Sequence, residues 1–133
     1  MATMLVRAVY KTGVYVAELL EEDNLNNRAL VKVVAVLKHP HQGDLHRPKK
    51  ADVDFFHQRK ALAQFEKAWV PLASMKRYEG DELDYKDSLQ SAWRAQLEQL
   101  EGEQTEWARL SIAQLKELKK GTGFNEENDS LQK

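Results

Sequence analysis

The chain contains no cysteine. That absence removes a disulfide framework, a thiolate zinc site, a thiol nucleophile and any lipid carried on a cysteine. Glycine is sparse as well: the six present are scattered singly. Without a glycine-rich loop to cradle phosphates, a nucleotide site is not expected. No apolar run approaches the roughly 18 residues of a membrane span. In "MATMLVRAVYKTG", Arg7 comes too early for the apolar core of a signal peptide. No serine sits in a nucleophile elbow, and no H-E-x-x-H or C-x-x-C motif occurs. The expectation is a cytoplasmic protein without direct membrane insertion, without a cofactor and without catalytic residues.

What is present fits one soluble unit. A chain of 133 residues can bury about two thirds of its unfolded surface. The net charge of −1 is unevenly spread. Residues 38–65 carry Lys38, Arg47, Lys49, Lys50, Arg59 and Lys60 against Asp44, Asp52 and Asp54. The chain after them is acidic, so a mildly basic middle is followed by an acidic C-terminal part. Such asymmetry steers association rather than fold.

The first half reads as strands. In "VRAVYKTGVYVAELLEE", β-branched and aromatic residues flank Thr12-Gly13, which predicts a two-residue hairpin turn there. "EEDNLNNRA" predicts a polar loop whose Asn and Asp tolerate left-handed backbone. "ALVKVVAVL", residues 29–37, predicts a strand covered on both faces. "RKALAQFEKAWVP" reads as a further strand, although Leu62 and Phe65 break its period of two. Four or five short strands with tight turns suggest a small barrel, which leaves no open sheet edge.

The second half changes period. Leu89, Trp93, Leu97 and Leu100 form one apolar stripe of a helix beginning at Tyr85, with Asp84 as N-cap and Asp87 in the first turn. Gly102 interrupts it. A second stripe runs through Trp107, Leu110, Leu115 and Leu118 and is expected to close at Lys119, Lys120 and Gly121. Helices of this length are marginal alone in water and must dock on something. Trp93 and Trp107 are therefore expected to be buried. The change of period puts a boundary near "EGDELD", residues 79–84.

All four histidines, His39, His41, His46 and His57, lie within "LKHPHQGDLHRPKKADVDFFHQRKAL". His39 and His41, with His46 or Asp44, could supply three zinc ligands. Pro40 interrupts that pair, and Gln42-Gly43-Asp44 spells a turn that splays the rings. Basic residues interleaved with Phe55 and Phe56 also fit nucleic acid, yet the acidic helical part would oppose a polyanion. A chemically mixed loop on a rigid scaffold is a common place for protein recognition.

"YKTGVYVAEL", "VKVVAVLKHPHQGDLH", "DFFHQRKALA" and "KRYEGDELDYKDSL" together resemble the kinase-associated protein B family of spore-forming Bacillus-type bacteria, from about residue 5 to residue 120. The resemblance implies a mainly β protein with α: an SH3-like small β-barrel over residues 1–79 and a C-terminal helical extension over 80–121. Residues 122–133 show no periodicity and are expected to be a disordered tail. It further implies a non-enzymatic modulator of a membrane sensor histidine kinase in the sporulation-initiation phosphorelay. Members described as lipoproteins depart from this chain, which lacks the cysteine; recruitment to the inner face of the membrane would come through the kinase. The expected partner-binding residues are Lys38, His39, His41, Asp44, His46, Lys49 and Lys50, with no metal and no nucleic acid. A nucleic-acid-binding barrel and a histidine-based metal-dependent hydrolase are the alternatives. Monomer and homo-oligomer both fit.

Overall fold

A computed structural model describes residues 4–43 and 58–122, with side chains as far as Lys119. β1 (Leu5–Tyr10) and β2 (Gly13–Asp23) form a hairpin in which Tyr10 stands opposite Gly13. The turn is thus Lys11-Thr12, one residue before the expected Thr12-Gly13. Both turn residues have positive φ, 45° and 71°, the two-residue geometry whose twist matches the strands and which Asn-Gly usually fills. Gly13 serves another purpose. It is buried in the strand, where an added Cβ would overlap the Tyr15 hydroxyl.

β3 (Arg28–Lys38) pairs with β2. The polar link between them is a 3-10 turn at Asn24–Asn26, capped by Asp23 and left through Asn27 at φ 54°, as asparagine permits. The β2–β3 register slips at three places. Val16 pairs with Ala35 and Ala17 with Val33, so Val34 is an extra residue in β3; Leu37 is another, and Leu20 is one in β2.

β4 (Lys67–Pro71) and β5 (Lys76–Arg77) complete an antiparallel sheet of order β4-β3-β2-β1-β5. The run expected as a strand from Arg59 is extended only in its last five residues. Phe65 turns to φ 68° and is 60% exposed. The closed barrel is also corrected. Among the described residues no ladder joins β4 to β5, so the sheet is open. β5 is only two residues long, and Pro71 has no N–H to donate. Instead a 3-10 turn, Leu72–Ser74, crosses the gap. The Ser74 hydroxyl accepts from the Val9 amide and lies 3.4 Å from the Val9 carbonyl as well.

α1 (Tyr85–Glu101) starts where expected, with the Asp84 carboxylate accepting from the Asp87 amide at 3.0 Å. It lies on β3: Ala92 packs with Tyr15, Val33 and Val36, and the Ser88 hydroxyl accepts from the Val36 amide. α2 (Glu106–Thr122) runs through Gly121 rather than closing there. Trp93, Leu100, Trp107, Ala108 and Leu115 form the shared core of the helical pair. Trp93 and Trp107 are 2% and 6% exposed, so the expected docking is observed.

Candidate functional site

The chain leaves β3 at Lys38 and runs through His39–Gly43 as a strap between the sheet and the two helices. Pro40, Gln42 and Gly43 are buried with it. Every polar anchor of the strap comes from a different element. On the sheet side, the His41 amide donates to the Thr12 hydroxyl in the β1–β2 turn at 3.0 Å. From α1, Gln96 Nε2 donates to the His39 carbonyl at 2.8 Å. From α2, the Trp107 indole donates to the Gln42 carbonyl at 3.2 Å. A buried carbonyl without a donor costs roughly 1–3 kcal/mol, and these contacts remove that cost while fixing the strap.

The Gln42 side chain makes the tightest arrangement. Its Oε1 accepts from the Arg59 amide at 2.9 Å and its Nε2 donates to the Arg59 carbonyl at 2.9 Å. One amide side chain thereby imitates a strand neighbour, using both main-chain groups of Arg59. Arg59 answers with Nε donated to the Gly43 carbonyl at 3.1 Å. Gly43 has φ 101°, the left-handed backbone that glycine adopts freely. The two ends of the basic histidine segment are thus clamped together on a rigid base.

The expected site residues separate in space. Lys38 is exposed at the end of β3. His39 is 3% exposed, and burial holds its imidazole below the usual histidine range, partly offset by a 3.0 Å contact from Nδ1 to the Pro40 carbonyl. Its ring is therefore packed into the base of the strap, while His41 is the more accessible of the two. His41 is half-buried and meets Trp107 edge to face, ring centres 6.0 Å apart. Asp44, His46, Lys49 and Lys50 lie outside the described residues, as do Phe55, Phe56 and the tail from residue 123. Among the described residues no three His, Asp or Glu side chains gather at metal-binding range.

Beside the strap lies a cleft of about 330 Å³, lined by Tyr10, Lys11, Tyr15, Pro40, Gln58, Arg59, Lys60 and Leu62. Burial pushes the Tyr15 hydroxyl up to about 12, against the lowering effect of the hydrogen bond it accepts from the Leu62 amide. Sequence reading missed Thr12, Gln42, Arg59, Gln96 and Trp107 as a working set. Only Trp107 carried a signal, through its helical stripe; the others are brought to the strap by tertiary structure.

A family model described as "Kinase associated protein B" matches residues 10–122. The chain is 46% identical over 116 residues to "Kinase-associated lipoprotein B" of Bacillus subtilis (strain 168), covering 87% of this chain and 89% of that one. It is also similar to the crystal structure of kinase-associated protein B from Bacillus cereus, with a TM-score of 0.76 and 31% identity, over 93% of this chain and 98% of the other.

Proposed function

The chain belongs to the kinase-associated protein B family, and from that premise we propose that it modulates a membrane sensor histidine kinase of the sporulation-initiation phosphorelay by binding it. The family is named for association with a kinase and not for a reaction. In this reading the protein performs no chemistry of its own. The observation that supports it most is the Gln42–Arg59 clamp. It closes the base of a charged segment against two structural layers, which is how a recognition loop is presented at low entropic cost. The contact surface is Lys38, His41, Asp44, His46, Lys49 and Lys50, with buried His39 holding the base.

No helix of the described residues is long and apolar enough to cross a membrane, and the 133 residues contain no cysteine to acylate. Recruitment to the inner face of the membrane therefore falls to the kinase in this proposal. The test is co-purification of tagged kinase with a Lys49→Glu, Lys50→Glu variant, alongside sporulation efficiency. Where a lysine makes no structural contact, charge reversal changes stability little but weakens a steered encounter. Reduced capture with folded, abundant protein supports the proposal; undiminished capture removes these lysines from the surface. RNA binding with a steep salt dependence, lost in the same variant, would put a nucleic-acid role in its place.

A further inference from the structure

The β1–β2 turn is costlier than it needs to be. Two-residue turns with positive φ at both positions favour Asn-Gly, yet this one uses Lys11 and Thr12. A β-branched residue at φ 71° is an outlier for its type, and such strain persists where surrounding structure over-determines it. Both side chains have employment that Asn-Gly would not supply. The Thr12 hydroxyl holds the strap at His41, and Lys11 lines the adjoining cleft with its ammonium 5.3 Å above the Tyr10 ring.

Among the described residues, Lys11, Arg59 and Lys60 line that cleft and no carboxylate does. Glu66, whose charge helps raise the Tyr15 hydroxyl, accepts from the Ala63 amide and is not part of the lining. The rest of the described lining is Tyr10, Tyr15, Pro40 and Leu62, with Gln58 as its one uncharged amide. Arg59 is fixed through its main chain and its Nε, so one of the three charges is pre-positioned. In a chain of net charge −1, this concentration selects for a negative occupant. The apolar walls select for one carrying an aromatic or aliphatic group beside its charge.

We propose that the cleft between the Lys11-Thr12 turn, Pro40 and Arg59-Lys60 docks an acidic peptide segment in which carboxylates flank an aromatic side chain. The proposal deepens the kinase-binding reading, on which it rests only for the identity of the partner. A small inorganic anion would use the cations but gain nothing from the walls.

The test is an amide-detected NMR titration of the full chain with a synthetic peptide alternating glutamate and aromatic residues, and separately with inorganic phosphate. Shifts at Tyr10, Lys11 and Lys60 are expected, with affinity at least about tenfold weaker in a Lys11→Glu, Lys60→Glu variant. Both lysines are exposed, and the wild-type shift map stands even if that variant misfolds. Shifts confined to another face, an unchanged affinity in a folded variant, or phosphate binding as tight as the peptide would each overturn the proposal. Kinase capture by the same variant separates the two readings. Peptide binding lost with kinase capture retained upholds the cleft and assigns it a partner other than the kinase.

Discussion

Two of the cores of this molecule are built on opposite plans. The sheet core, Val6, Ala8, Ala17, Ala29, Val31 and Val70, uses only valine and alanine. The helical core rests on Trp93, Trp107, Leu100 and Leu115. In the sheet, position is already fixed by strand pairing, so small side chains suffice and the burial energy is spread thinly. Two short helices have no ladder between them. Their position depends on a few large side chains and on two indole N–H groups, from Trp93 to the Leu115 carbonyl at 2.7 Å and from Trp107 to Gln42. Stability is thus distributed in one region and concentrated in the other, and the strap draws on the concentrated one.

Trp107→Ala should give the largest loss, about 3–5 kcal/mol, read as a fall in thermal midpoint with faster amide exchange at His41–Gly43. Val31→Ala, at a position still more buried, should cost roughly 1.5–3 kcal/mol. Equal losses would break the contrast between the cores. Gln42→Ala comes next. It leaves the Arg59 amide and carbonyl without their partner, an expected cost of about 1–3 kcal/mol in urea titration, with both helices intact by circular dichroism.

Smaller effects sharpen the picture at the turn. Thr12→Val keeps the strained backbone and deletes the hydroxyl, for an expected loss of about 1 kcal/mol. Thr12→Gly deletes the same bond but relaxes φ, so it should lie above Thr12→Val in denaturant midpoint. The reverse order would mean that the turn is not strained.

The smallest effect is a pH dependence with a definite sign. Burial lowers the folded-state pKa of His39, so the unfolded chain binds its proton first. The contribution of His39 is fully present above about pH 6.5, the unfolded value, and is lost as pH falls through the folded pKa. A urea midpoint that does not decline over this range, or declines equally in His39→Gln, would contradict it.

These contrasts also explain what the sequence disclosed. The helical stripes were readable because a 3.6-residue period and the Asp84 cap are local signals, and they located both buried tryptophans. The strands were readable as elements. That the sheet stays open was not, because its edges depend on a two-residue β5 and on Ser74 reaching Val9, neither of which leaves a pattern in the chain. The turn was misplaced by one residue since glycine is the usual mark of positive φ, and here it answers the crowding of Tyr15. Among the histidines, composition alone could not tell buried His39 from half-buried His41. Gln42 gave no signal at all: its role exists only because Arg59, seventeen positions later, comes alongside.

The extra residues in β3 bear on how chains of this kind can change length. Ala17 and Tyr15 point to one side of β2, and their partners Val33 and Val36 share that side only because Val34 bulges between them. Loss of Val34 or Leu37 would remove that bulge and leave every inward side chain inward. Loss of a residue away from these bulges would turn side chains over as far as the next bulge. Single-residue alignment gaps across this strand should therefore fall at those two positions, a rule of length that no pattern of substitution would reveal.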